Sequence, residues 1–367
     1  MLTKIGNFIL KVMMFVVSKK SSLAPNKIAI YRFGSLGDSI VAMPALSVIK
    51  KRFPNAEIHV LCRSERKGLI NYCDLLDSKS FQYIFDYSGL STSEMRSKIK
   101  LEKYDLWIEL PSSGVGFIHS FKKIIYLKSC DVKSISGHQT TPGNNVFLSK
   151  YYKKYFNFER ETTRLLRSID SIERNENNYF IEDYLFRDLS FFEEKNSKIL
   201  DYDIYNEFLI FAPCSKKLAG MWPIEFWREL LRELQILGIK GIFIGSSDDS
   251  GYIDLVLDGF SINQFLSVAG KFDILQSAAL IKKSRMAICV DSGPLHMSYA
   301  LNKKLIAIFS ARDYVNKWFP PENIGVTLRH NEECSPCFRD NCPINNTCMR
   351  NISVEMVLNE VKKEIYN

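Results

Sequence analysis

The chain has 367 residues, 46% apolar and 25% charged, which is enough for two globular domains and excludes a disordered or collagen-like chain. Lysine and arginine outnumber aspartate and glutamate by 49 to 41, and the net charge of +8 suits anionic partners such as nucleotides, phosphorylated glycans or acidic lipid surfaces. No nucleic-acid partner is expected, and the longest uncharged apolar stretch near the N-terminus, Val12 to Val17, is far short of the ~20 residues a membrane span needs.

Residues 1–26 read as an amphipathic extension. Lys4 ahead of the stretch from Ile5 to Val17 has the outline of a signal peptide, but Lys11 interrupts the stretch and Pro25 blocks cleavage after Ala24. A short helix with Ile5, Phe8, Ile9, Val12, Met13 and Val16 on one side, followed by Lys19 and Lys20, resembles an interfacial anchor on an anionic membrane surface. The alternative is a helix packed on the protein's own surface. The expected location is cytoplasmic, peripheral on the inner face of the cytoplasmic membrane.

From Lys27 the pattern alternates. An apolar strand, Lys27 to Tyr31, leads through a glycine-containing loop into a helix with Ile40, Val41, Leu46, Val48 and Ile49. Further strands are expected at Glu57 to Leu61, Tyr83 to Phe85, Asp105 to Glu109 and Lys123 to Leu127. Periodicity weakens from about Asp170 to Asn206, and the polar run Arg174 to Asn178 suggests a crossing between domains. The alternation then restarts, with strands at Phe208 to Ala212, Ile239 to Ile244, Met286 to Val290 and Leu305 to Phe309. Helices are expected at Pro223 to Leu237, Tyr252 to Leu257, Ile274 to Ile281, Pro294 to Leu301 and Val354 to Tyr366. Strand–helix alternation implies parallel α/β sheets. The domains are therefore set at 27–190 and 191–367, two Rossmann-like doubly wound domains facing a central cleft.

In open α/β sheets, ligands bind beyond the carboxyl ends of the strands. The first motif there is Arg32 to Asp38, RFGSLGD, where Gly34 and Gly37 permit a tight turn and Asp38 stands at a helix start. It lacks the three glycines of a dinucleotide fingerprint and the Lys-Ser/Thr of a Walker loop. A plain helix cap is the competing role for Asp38. The second motif is Asp291 to His296, DSGPLH, in which Pro294 suits the first helical position and Ser292 and Gly293 the cap, leaving amides for a diphosphate and His296 about one turn in. Lys216 and Lys217, in the loop after Ala212, supply positive charge for a leaving phosphate, with solvated lysines as the alternative. Asp249 in GSSDD is placed to hold ribose hydroxyls, or to cap the next helix. The Asp201–Asp203 pair lies outside any such loop and carries no metal reading.

RFGSLGDSIVAMPALSVIKKRFPNAEI, the Pro-Cys-Ser loop with WPIEFW, and VDSGPLHMSYAL together resemble glycosyltransferase family nine, the ADP-heptose:lipopolysaccharide heptosyltransferases. The resemblance runs from about Lys27 to the C-terminus and is thin between about Ser64 and Asn206. It implies a GT-B fold with the acceptor on the N-terminal domain and the nucleotide-sugar on the C-terminal one. It also implies Asp38 as the general base, Arg32, Gly34 and Gly37 in the acceptor-side loop, and Asp291, Ser292, Gly293 and His296 at the donor. The family usually has a basic residue two positions before the Trp-Pro pair, whereas Gly220 stands there in this chain. Lys216 or Lys217 is the expected substitute.

The expected activity is thus inverting, metal-independent transfer of a heptose-like sugar from a nucleotide-sugar, ADP-heptose by resemblance, to a lipopolysaccharide or other anionic surface-glycan acceptor. The alternatives are a catalytically silent GT-B binding protein or another nucleotide-binding α/β enzyme such as a dehydrogenase. No cofactor is expected for catalysis. Cys62, Cys73, Cys130, Cys214 and Cys289 read as buried thiols. Cys334, Cys337, Cys342 and Cys348, spaced C-x2-C-x4-C-x5-C, suggest a structural zinc site, with two disulfides or free thiols as alternatives.

Overall fold

The computed structural model describes residues 2–17, 24–63, 72–112, 115–138, 159–169, 189–199 and 208–366. By its contacts the chain divides into two units, Met1–Phe147 with Glu161–Arg187, and Leu148–Arg160 with Asp188–Asn367.

The first unit holds strands β1 (Lys27–Phe33), β2 (Glu57–Arg63), β3 (Tyr83–Asp86), β4 (Leu106–Leu110) and β5 (Ser134–Ser136), all paired in parallel in the order β3-β2-β1-β4-β5. Strand β4 is buried along its whole length and β1 is buried from Ile28 to Arg32, as expected for parallel strands covered on both faces. Its helices are α1 (Leu2–Val17), α2 (Leu36–Ile40), α3 (Met43–Arg52), α4 (Thr92–Glu102), α5 (Phe117–Ser129) and α6 (Glu161–Ser168). Strand order reverses between β1 and β4, so their carboxyl ends open the switch-point crevice of this sheet.

The expected strand at Lys123 to Leu127 is instead part of α5. Ile124 and Leu127 are buried three residues apart while Ile125 between them is exposed, which is a helical period that a short apolar run conceals. The edge strand β5 was not anticipated; at three residues it is too short to carry a periodic signal. Cys62 and Cys73 are paired as a disulfide, which corrects their reading as separate thiols.

The second unit holds β6 (Phe208–Ala212), β7 (Lys240–Phe243), β8 (Phe265–Ser267), β9 (Met286–Val290), β10 (Leu305–Phe309) and β11 (Gly325–Arg329) in the parallel order β11-β10-β9-β6-β7-β8. Around it lie α7 (Ser190–Ile199), α8 (Ile224–Ile236), α9 (Ser250–Leu257), α10 (Ile274–Lys283), α11 (Gly293–Ala300), α12 (Thr347–Arg350) and α13 (Val354–Tyr366). Here the reversal falls between β6 and β9. Helix α13 buries Val354, Val357, Leu358 and Val361, one stripe at helical spacing, in the core that also holds Trp227, Leu230 and Leu234 of α8. The indole of Trp222 donates to the Ile352 carbonyl at 2.9 Å and so ties the loop before α8 to the segment before α13. The short strands β8 and β11 escaped the sequence reading.

Candidate active site

Each unit presents its motif at its own switch point. In the first, Asp38 belongs to α2, and its Oδ2 accepts from the Ser35 amide at 3.0 Å and the Ser35 hydroxyl at 2.8 Å. The capping role weighed for Asp38 is therefore realised. Both bonds recorded among the described residues fall on Oδ2, which leaves Oδ1 to accept from a ligand. Gly34 has a mechanical part: a Cβ built there stands 2.5 Å from Asp38 Cβ, so only glycine lets the loop fold this closely over the carboxylate.

Arg32, expected in the acceptor-side loop, is 0% exposed. Its Nε donates to the Asp38 carbonyl at 3.0 Å, and one Nη donates to the carbonyls of Leu110 and Pro111 at 3.1 and 2.7 Å. The other Nη lies 3.7 Å from Glu161, which also pairs with Arg164. Arg32 thus clamps the Asp38 loop to the end of β4 and to α6. Sequence cannot reveal this, because the partners are carbonyls 78 and 79 residues away.

In the second unit, α11 starts where β9 ends. Ser292 occupies the cap position in extended conformation, but its hydroxyl donates back to the Val290 carbonyl at 3.0 Å and makes no capping bond. Ser292 therefore leaves the start of α11 uncapped by its own side chain, whereas α4 and α10 are capped by Ser91 and Asp273. Asp291 flanks this end. His296 is buried between the Tyr299 hydroxyl, 3.2 Å from Nδ1, and Asp291 Oδ1, 3.8 Å from Nε2; it supports the loop from beneath.

The loop after β6 crosses the same end of the sheet. Lys216 is exposed, while Lys217 pairs with Asp340 at 2.6 Å, a carboxylate that Arg312 also approaches at 3.2 Å. Gly220 packs against Ser215, whose hydroxyl would lie 3.1 Å from an added Cβ. Asp249 repeats the Asp38 device, its Oδ2 accepting from the amide and hydroxyl of Ser246, both at 2.7 Å.

The four C-terminal cysteines do not fit a metal as placed: among the described residues no group of three or more His, Cys, Asp or Glu is disposed to hold one. Cys334 is exposed, and the Cys348 sulfur turns to the Ala311 amide at 3.5 Å. The zinc expectation is withdrawn. The Asp201–Asp203 pair, Lys19 and Lys20 lie outside the described residues.

Sequence reasoning missed a charged cluster in the first unit, Glu109 on β4, Lys123 on α5 and His138 after β5. The available signal was Glu109, a lone carboxylate inside the apolar run LWIEL.

A family model described as glycosyltransferase family 9 (heptosyltransferase) matches residues 173–348. Lipopolysaccharide heptosyltransferase 3 of Escherichia coli (strain K12) is 22% identical over 313 residues, which cover 78% of this chain and 83% of that protein. A family 9 glycosyl transferase from Veillonella parvula superposes with a TM-score of 0.69 at 15% identity, covering 95% of this chain and 99% of its own. The ADP-heptose lipopolysaccharide heptosyltransferase II of E. coli gives 0.65 at 14%, covering 93% and 98%. These likenesses establish the GT-B class for the two Rossmann-like units.

Proposed function

We propose that this chain, whose residues 173–348 match the glycosyltransferase family 9 model, moves a heptose from ADP-heptose to an anionic lipopolysaccharide-type acceptor with inversion at the anomeric carbon. One observation carries the reading: each sheet has, at its switch point, one half of what the reaction needs. The first unit has a carboxylate whose recorded bonds fall on one oxygen, and the second has a helix start that Ser292 leaves uncapped. The acceptor hydroxyl attacks the anomeric carbon and passes its proton to Asp38 Oδ1. The bond from that carbon to the diphosphate breaks, and its electron pair leaves with ADP. Charge developing on the diphosphate is met by the α11 amides beside Gly293 and by Lys216, with Lys217 able to swing from Asp340. This scheme assigns no step to a metal, and Asp249 is the carboxylate offered to ribose hydroxyls.

The same reading places the enzyme on a membrane surface. Helix α1 packs Leu10 and Met14 into the first unit's core yet exposes Phe8, Ile9, Val12, Phe15 and Val16. Ile118 and Ile125 on α5, against which α1 packs, are exposed as well, with Lys11 and Lys122 among them. Apolar side chains mixed with lysines suit an anionic bilayer. No described helix is long and apolar enough to cross a membrane.

The test is single-turnover transfer and calorimetric donor titration on two variants. Asp38→Asn keeps a capping oxygen but cannot take the proton, so it is expected to bind donor normally and lose about 10²- to 10⁴-fold in rate. Gly293→Val puts a branched side chain over the α11 amides and is expected to weaken donor binding first. A fully active Asp38→Asn enzyme removes the base from the mechanism. Failure of ADP-, GDP- and UDP-sugars alike to bind or react favours the silent binding protein.

A further inference from the structure

Strand β9, which leads into α11, lies between β10 and β6, and all three run in parallel. The loops after β6 and β10 therefore leave the same end of the sheet, on either side of Gly293. They meet at Gly220, where an added Cβ would stand 3.1 Å from the Ser215 hydroxyl oxygen and 4.0 Å from that of Ser310. Between Pro213 and Pro223 the β6 loop carries cations only at Lys216 and Lys217, and the β10 loop adds Arg312.

The segment Phe338–Asp340 bridges the two loops. The Phe338 amide donates to the Arg312 carbonyl at 2.8 Å, Arg312 Nε donates to the Arg339 carbonyl at 2.9 Å, and the Ala219 amide donates to the Asp340 carbonyl at 2.8 Å. The Asp340 carboxylate then takes one cation on each oxygen: Arg312 Nη2 on Oδ1 at 3.2 Å and Lys217 Nζ on Oδ2 at 2.6 Å. Cations from separate loops that converge on one acid form an arrangement that suits a phosphate equally well. The Lys217 hydrogen bond, with the charges of Lys217 and Arg312, outweighs a small cost of burial and holds the Asp340 carboxyl below its ordinary range, so it is an anion at neutral pH. Asp340 is also the exposed member, its side chain 57% exposed against 18% for Arg312. Water competes for the charges of an exposed pair and keeps it weak, so an anion of higher charge can take the place of this carboxylate.

We propose that Asp340 is an internal counter-anion seated where the donor's diphosphate binds, and that Arg312 holds the diphosphate together with Lys217 once Asp340 turns out to solvent. The inference rests on the reading above that the second unit holds the donor. It adds Arg312 to the groups that meet the leaving diphosphate and gives Asp340 an inhibitory part. The planar fork of Arg312 can bond two oxygens of one phosphate, and the tie from its Nε to the Arg339 carbonyl sets the direction of the fork, whereas Lys217 follows as a mobile point charge. Before donor arrives, the carboxylate offsets the repulsion between the two cations. After it turns away, the backbone bonds at Phe338 and Ala219 still join the loops.

The test titrates the full chain calorimetrically with ADP, adenosine and inorganic pyrophosphate, with the thermal midpoint recorded for each variant. Arg312→Gln is expected to weaken ADP and pyrophosphate about tenfold and to leave adenosine unchanged. Arg312→Lys, which restores the charge without the fork, is expected to recover part of that loss. Asp340→Asn removes the competing charge but keeps the shape, and is expected to tighten ADP and pyrophosphate about two- to fivefold, again without effect on adenosine. The opposite signs separate this reading from a structural one, because damage to the loops would weaken binding in both variants. Unchanged or weaker ADP binding in Asp340→Asn overturns the proposal. So does undiminished ADP binding in Arg312→Gln, or an equal loss of ADP and adenosine affinity there. ADP that binds the wild type but ignores every variant ends this proposal and leaves the donor reading standing. Pyrophosphate that responds to the variants as expected, with no binding of ADP or adenosine, overturns the nucleotide-sugar reading and leaves the diphosphate seat standing.

Discussion

At the scale of single residues, two glycines decide where the chemistry sits, and the structure separates their roles. Gly34 lets the loop close over Asp38, and Gly137 lets the chain beyond β5 lie against β4 so that His138 meets Glu109. Because Gly137 combines a left-handed backbone with a 2.0 Å clash for any Cβ, Gly137→Ala is expected to destabilise the protein by roughly 1–3 kcal/mol from the backbone alone, and more from the clash. Chemical denaturation measures this, and an unchanged midpoint would show that the contact is slack. In the proposed scheme Asp38 answers to two demands through different oxygens: Oδ2 accepts from Ser35 at the helix start, and Oδ1 is the proposed proton acceptor. Asparagine and alanine at that position should therefore differ: both lose transfer, but alanine alone also gives up the capping oxygen, worth ~0.5–2 kcal/mol.

At the scale of elements, one device occurs twice. Gly34-Ser35 with Asp38 and Gly245-Ser246 with Asp249 each follow a parallel strand and bind the carboxylate by the serine amide and hydroxyl. Gly-Ser-x-x-Asp at a strand end was legible in the sequence; whether the carboxylate caps, catalyses or does both was not. Sequence alone left helix α1 between an anchor and a packed helix; the structure packs Leu10 and Met14 into the core and exposes the apolar side chains on which the proposed anchor rests. Phe15 is 85% exposed and Leu10 fully buried, so the two faces are separable by mutation. Phe15→Ser with Val16→Ser is expected to abolish binding to anionic liposomes with the thermal midpoint unchanged. Leu10→Ala is expected to cost ~2–5 kcal/mol of stability. Liposome binding retained by the double variant would end the anchor reading.

At the scale of the whole molecule, the buried cluster leaves a mark on stability against pH. His138 titrates near 6.5 when unfolded and near 4 when buried, so its contribution is whole above about pH 6.5 and is lost as pH falls towards 4. The loss is on the order of 3 kcal/mol. His59, also lowered by burial, adds to the same slope. Burial alone would raise Glu109, but Lys123, His138 and the Trp107 bond outweigh it and hold it below its ordinary value, so its share is lost only below about pH 4.5. The difference between wild type and His138→Phe isolates the upper window. Identical pH profiles in denaturant melts would mean that His138 is hydrated rather than buried.

The alternation of strands and helices, the two-sheet plan and the motifs at the strand ends were all readable in the chain, because 2.0- and 3.6-residue periods, cap residues and glycine turns are local signals. The edge strands β5, β8 and β11 were not, being short and defined by their neighbours. Nor was the exchange of a strand for a helix at Lys123, since five apolar-rich residues suit either period and only packing chooses. Tertiary structure alone made Arg32 a buried clamp, paired Cys62 with Cys73 and left the four later cysteines near one another without a disulfide. It also brought Glu109, Lys123 and His138 into one pocket. Each of these depends on groups that meet across separate elements, and burial decides what they do: the same charges strung along an exposed chain would be screened by water and would carry no signal.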